Sequence, residues 1–290
     1  MWCDAYGAPE IVASLDVAIE ASGLAPSSRA GVWFTHGDNG DPAVVYAFDA
    51  DGLEAEHPVD APATDWEDLA AAPCPDRGDC LYIGDIGDND ASRDTISVVV
   101  VRAPGRSGAA ERVEIRSARY PDGPHDAEAL LVNPCTGEVQ VVTKGESASV
   151  YRWPAGADTL TFAATLDLSE PVTGGAWDPD AHRVALRSDH LVWVWNVDPA
   201  APTAHWSTAP VVIAGVSEAG GEGVTFTADG GVATLGDEQL PDVVVYPCAE
   251  PADAPEVCTR SGCGCGGNPG GHGGWLALAA LVAARLRASR

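Results

Sequence analysis

Short apolar runs recur along the chain, and none of those between the two ends is long. AVVYAF at 43–48, ISVVVV at 96–101, LVWVWNV at 191–197 and DVVVYP at 242–247 are each bounded by Gly, Pro or Asp clusters. That is the pattern of buried strands separated by turns. Few stretches show the spacing of an amphipathic helix, so the fold class read from the pattern is all-β.

A slower regularity lies beneath the strands. TDWEDLAAAP at 64–73, HDAEALLVNPCTG at 125–137 and GGEGVTFTADG at 220–230 each place a Glu just before an apolar strand. VTGGAWDPDAHR at 172–183 has the same shape with Gly175 in the Glu place, and EASGLAPSSRA at 20–30 has Ser22 there. The equivalent positions are Ser22, Glu67, Glu128, Gly175 and Glu222, and a separation of roughly 50 residues is a blade period. Within each repeat a second strand follows (VWFTH, LYIGD, VQVVTK, VALRS, VATLG), then a third (VVYAF, SVVVVR, SVYRW, VWVWN, VVVYP). Weaker fourth strands appear as RVEIRSARY, LTFAATLDL and PVVIAGV. Four antiparallel strands repeated radially predict a single β-propeller of five four-stranded blades; a sixth blade would have to be degenerate. The fifth repeat lacks a fourth strand, while IVASLDVAI at 11–19 precedes the first repeat. The N-terminal strand is therefore predicted to complete the last blade and hide its open edge. The boundaries that follow are an N-terminal extension at 1–9, the propeller at 10–250, a Cys/Gly/Pro-rich linker at 251–274 and a hydrophobic tail with a basic end at 275–290.

The first strand of each blade lines the central channel, so Glu67, Glu128 and Glu222 are expected to converge on the axis. Carboxylates brought together repel and raise one another's pKa, so they need a cation, a shared proton or basic neighbours. Calcium, which takes six to eight oxygens in flexible geometry, suits such a ring. The ends of the second strands supply His36, Asp85, Lys144, Arg187 and Asp237. Lys144 is the sole lysine among 16 basic residues, which points to a need for an ammonium there. The metal candidates are Glu67, Asp85, Glu128 and Glu222, and the ligand-binding candidates are Lys144, Arg187, His125 and Asp237. Glu67, Glu128, Glu222 and His36 are the catalytic candidates. YIGDIGDND at 82–90 adds Asp88 and Asn89 but lacks the full spacing of an EF-hand, and reads first as an Asx-rich turn capping its own backbone. Asp38 in THGDNGDP lies near enough to the mouth to be a ligand, whereas His125 and Asp126 also read as caps of the loop entering their strand.

Charge narrows the partners. Sixteen basic against 43 acidic residues give a net charge of -27, which repels nucleic acid and anionic lipid. No G-x-S-x-G elbow, Walker loop or H-E-x-x-H motif is present in the sequence. Trp66, Trp153, Trp177, Trp193, Trp195 and Trp206 read as packing between blades. Of the eight cysteines, Cys74 with Cys80 and Cys248 with Cys258 bracket short loops, and two local disulfides are expected. Cys3 and Cys135 are left over and free to pair.

The middle repeats resemble bacterial propellers related to phytase-like, SMP-30-like and SdiA-regulated proteins. DWEDLA, YIGDIGDN, YPDGPHDAEALLV and GGEGVTFTADG carry the resemblance, across roughly residues 20–245. It implies the architecture more than an activity. The last 30 residues, with Cys263 and Cys265, a Gly-rich linker, an apolar run from Trp275 to Ala284 and then Arg285, Arg287 and Arg290, resemble the MYXO-CTERM sorting tail of myxobacterial surface proteins. That resemblance implies an exported, surface-attached protein whose only membrane contact is the tail. MWCDAYGAPE has neither the basic nor the apolar region of a signal peptide, so a start inside the true gene is expected, with a cytoplasmic protein of reduced cysteines as the alternative.

The function expected from these features is a monomeric binding or scaffold propeller, taking a small-molecule or surface ligand at a carboxylate-lined, calcium-holding channel. The alternative is a metal-dependent hydrolase, acting on phosphoesters first, then on lactones by the SMP-30-like resemblance, or on glycosides through its three axial carboxylates.

Overall fold

The structure is a computed structural model, and it describes residues 2–17, 19–145, 147–198, 203–216, 220–237 and 240–253. Two short strands open the chain, β1 (Trp2–Cys3) and β2 (Glu10–Ser14). Blade 1 follows as β3 (Ala21–Pro26), β4 (Trp33–Gly37), β5 (Val44–Asp49) and β6 (Gly52–Pro58). Blade 2 is β7 (Trp66–Pro73), β8 (Asp79–Asp85), β9 (Ile96–Arg102) and β10 (Arg112–Ala118). Blade 3 is β11 (Ala127–Val132), β12 (Val139–Thr143), β13 (Ser147–Trp153) and β14 (Thr161–Asp167). Blade 4 is β15 (Gly174–Trp177), β16 (Arg183–Arg187), β17 (Leu191–Asn196) and β18 (Val211–Ala214). Blade 5 begins with β19 (Gly221–Phe226), β20 (Val232–Gly236) and β21 (Asp242–Tyr246), and β22 (Pro251–Ala252) ends the described chain. The five-bladed propeller expected from the repeat is the observed fold. Among the described residues no helix is long and apolar enough to cross a membrane.

Burial on both faces explains why these segments form sheets. In β9 and β17 the Val, Ile and Trp side chains are buried on both faces, because each blade is covered by its neighbours. The core is consequently a ring of seams. One joins Tyr82, Val98 and Val100 of blade 2 to Leu130, Val141 and Tyr151 of blade 3; another joins Leu131 and Val150 of blade 3 to Trp177, Trp193 and Trp195 of blade 4. Trp66, Trp153 and Trp206 are buried in the same way, so the tryptophans pack between blades.

The ring closes through the N-terminus. β2 pairs antiparallel with β21, as expected, and supplies the fourth strand of blade 5. Beyond it, β1 pairs with β22 in a small ribbon that carries the Cys3–Cys248 disulfide. This corrects the expected Cys248–Cys258 and Cys3–Cys135 pairs: the ribbon brings the two ends of the propeller side by side and puts Cys3, not a neighbour in sequence, against Cys248. Cys74–Cys80 forms as expected and staples the β7–β8 hairpin. Cys135 is also disulfide-bonded. Cys258 and the sorting-tail features at 261–290 lie outside the described residues.

At the axis the inner strands approach closely. A Cβ on Gly174 would lie 2.2 Å from the Glu222 carbonyl oxygen, and one on Gly223 would lie 2.7 Å from the Leu24 Cβ. Glycine at these positions lets backbones rather than side chains meet around the centre.

Candidate functional site at the channel mouth

The glutamates reach the mouth through a shared backbone irregularity. Register shifts between Trp66 and Asp68 in β7, between Ala127 and Ala129 in β11, and between Gly221 and Gly223 in β19. Glu67, Glu128 and Glu222 are thus each the extra residue of a β-bulge, which re-aims a side chain out of the regular alternation. Blade 4 has no such shift, and Gly175 pairs regularly with Leu186. In blade 1 Ser22 stays paired with His36, and its hydroxyl donates to the Glu67 carbonyl oxygen at 2.5 Å.

Carboxylates crowd around Glu67. Among the described residues, Asp38, Asp65 and Glu67 offer one oxygen each within 4.8 Å of one another, and so do Glu67, Asp126 and Glu128. Burial, followed by the charges of Glu128, Asp38, Asp65 and Glu222, pushes Glu67 up to about 10. Glu222 rises to about 9 through burial and then the Glu128 charge, against the pull of Arg187 and Lys144. Asp65 is 6% exposed, its Oδ1 has no hydrogen-bond partner, and burial raises its pKa. Gly87 makes room for this packing: a Cβ there would stand 2.0 Å from Glu67 Oε1 and 2.6 Å from Asp65 Oδ2.

One basic group answers them directly. Lys144 Nζ lies 2.5 Å from Glu128 Oε1, with the Glu128 side chain 4% and the Lys144 side chain 42% exposed. Burial still holds the Glu128 pKa above its ordinary value, although the Lys144 hydrogen bond and charge pull it back.

The remaining predicted residues occupy different positions. Asp85 lies outside both triplets; its Oδ1 accepts from Arg93 Nη2 at 2.8 Å and from the Asp65 N–H at 3.1 Å, so it supports Asp65 from behind. A cleft of about 390 Å³ opens on that side, between Pro62, Thr64, Thr95 and Ser97, with Asp85 and Arg93 in its wall. Arg187 is fully buried, and its guanidinium donates to the carbonyls of Ser188, Gly223 and Leu235, which ties blade 4 to blade 5. His36 is buried, edge-on to Trp66 and bonded to the Gly37 carbonyl, and burial lowers its pKa. His125 bonds Asp122 and the Tyr151 hydroxyl within an aromatic group that includes Tyr120. Asp237 is turned toward Gly220, whose Cβ would meet Asp237 Oδ1 at 1.9 Å, and burial raises its pKa. Asp88 caps its own turn, accepting from the Ser92 and Arg93 N–H groups.

Sequence reasoning passed over Asp65 and Asp68. Asp68 is completely buried on the axis and accepts from the N–H groups of Leu69, Leu130 and Gly175. Burial nevertheless lifts it to about 8. The available signal was DWED itself, three acids within four residues at a strand opening.

Neither the protein-family models nor the curated proteins include a match to the chain. Solved structures do match. A glucose dehydrogenase is 11% identical, with a TM-score of 0.50, over 85% of this chain and 100% of that one. The soluble aldose sugar dehydrogenase of Escherichia coli, in its apo form, is 12% identical, with a TM-score of 0.50, over 83% of this chain and 99% of that one. At such identity the likeness shows the fold alone.

Proposed function

We propose that the chain is a ligand-binding propeller that holds one divalent cation, calcium first, between Asp38, Asp65 and Glu67 at the channel mouth. The observation that carries this reading is Asp65 Oδ1, a buried carboxylate oxygen without a hydrogen-bond partner, on one of three carboxylates that approach within 4.8 Å of one another, two of which, Asp65 and Glu67, burial and neighbouring charges hold above their ordinary pKa. A hard cation with oxygen ligands relieves both the missing partner and the repulsion. The disulfides support residence in an oxidising compartment, and the sorting-tail resemblance supports export and surface attachment.

A metal-assisted phosphoester hydrolase is the second reading, favoured by the half-exposed Lys144 ammonium at the same mouth. The glycosidase form is disfavoured, because a carboxylate oxygen of Glu67 and one of Glu128 lie within 4.8 Å of each other, closer than the about 5–5.5 Å that a retaining pair keeps.

Thermal unfolding in EDTA and then in calcium, with disulfides intact, tests the cation. An ion that binds only the folded state adds about 2.7 kcal/mol at a hundredfold excess over Kd. The gain is expected in the native chain and lost in Asp65→Asn; an unchanged melting temperature in calcium would overturn the reading. A panel of phosphoesters, lactones and aryl glycosides is expected to stay at background in calcium, and turnover of any member would transfer the site to the hydrolase.

A further inference from the structure

The two carboxylate triplets share Glu67 and differ in counter-charge. Asp38, Asp65 and Glu67 have unpartnered oxygens on both aspartates, Asp38 Oδ1 and Asp65 Oδ1. Glu67, Asp126 and Glu128 already have a cation at one member, since Lys144 Nζ touches Glu128 Oε1 at 2.5 Å.

The fold places that ammonium deliberately close. The Lys144 N–H donates to the Asp126 carbonyl oxygen at 3.0 Å, one residue beyond the end of β12, where Thr143 pairs with Ala127. Lys144 is therefore anchored opposite Asp126, and its side chain has only to cross to the bulged Glu128. The three acids that favour its charged form are Glu128, Asp126 and Glu67, the members of the second triplet. An ammonium offers three donors and no acceptor, so it suits a group of carboxylates, and it is a compact charge where guanidinium is broad and planar. The chain uses lysine here and arginine at its other described basic positions.

We infer that Lys144 is a tethered cation filling the second triplet, so that the native mouth takes one divalent ion fewer than its carboxylates could hold. Removing the ammonium opens a calcium site formed by Glu67, Asp126 and Glu128. The native count of one ion rests on the cation reading proposed above; the gain of one on losing Lys144 does not.

The test is the stoichiometry of calcium, measured by titration calorimetry and by elemental analysis after desalting, on the full chain and on Lys144→Gln prepared in calcium throughout. One ion per native chain and two per Lys144→Gln chain is the expected result, with Lys144→Arg remaining at one and Lys144→Gln/Asp126→Asn returning to one. No ion in the native chain but one in Lys144→Gln would defeat the function proposed above and uphold the tethered cation. Equal counts in the two proteins, or two ions in the native chain, would overturn it. If Lys144→Gln unfolds in EDTA, recovery of its circular dichroism must need one ion more per chain than the native protein binds; recovery at the native count overturns the inference in the same way.

Discussion

The Gly175 N–H donates to Asp68 Oδ2 across the propeller axis at 3.1 Å, joining residues 107 apart in the chain. The same oxygen accepts from Leu130 at 2.8 Å, so one carboxyl of blade 2 satisfies backbone donors of blades 3 and 4. Those donors face no water, and a buried N–H without a partner costs about 1–3 kcal/mol.

Asp68→Ala leaves both unsatisfied and is expected to destabilise the propeller by about 3 kcal/mol or more in denaturant unfolding. Asp68→Asn keeps one oxygen for the pair and removes a charge that burial already disfavours, so it is expected to cost about 1 kcal/mol. Equal losses for the two variants would show that the bonds to Leu130 and Gly175 carry little of the stability.

Stability should also depend on pH in a direction set by the same burial. Glu67, Glu222 and Asp68 stand near 10, 9 and 8 in the folded chain, above the about 4 of an unfolded carboxyl. Between those values the folded state binds more protons than the unfolded one. Their contribution is fully present below the unfolded pKa and is lost as pH rises through the folded values. In EDTA the melting temperature is expected to fall from about pH 5 to about pH 9. Calcium binds the deprotonated forms, so the gap between the EDTA and calcium curves should widen with pH. An EDTA curve that is flat or rising across this window would show that the mouth is neutralised by pairing instead.

Blade number and strand order were legible because burial on both faces writes each strand as an apolar run, and the ring repeats that run with a period. The glutamates were legible for the same reason, each falling at one place in the repeat. Asp65 stands two residues before its glutamate, as Asp126 does, so its place was written in the repeat; Asp38 comes from the segment just after β4, and only the packing of blade 1 beside blade 2 brings it to Glu67. Arg187 shows the opposite limit. It holds the mouth position in the repeat, yet it is buried with its guanidinium on carbonyls of blades 4 and 5, because Gly221 leaves space that a Cβ 1.9 Å from Arg187 Nη2 would fill. Cysteine spacing misled where closure dominated and succeeded where a hairpin was local.

The two described disulfides should differ in worth according to the loops they close. Cys3 and Cys248 are 245 residues apart and hold the ribbon that fastens the N-terminus to the end of blade 5, whereas Cys74 and Cys80 are 6 apart within one hairpin. By loop entropy the first restricts the unfolded chain by about 5 kcal/mol and the second by about 2 kcal/mol. The long bridge also guards an edge. If β2 leaves β21, the unpaired donors and acceptors of β21 face solvent, and the freed β2 carries Ile11 and Val12, which are already exposed. Cys3→Ser/Cys248→Ser is therefore expected to lower the melting temperature more than Cys74→Ser/Cys80→Ser does, and to add concentration-dependent association in light scattering near the transition. A smaller loss from the long bridge, with no association, would mean that β2 holds the ring closed by its hydrogen bonds alone.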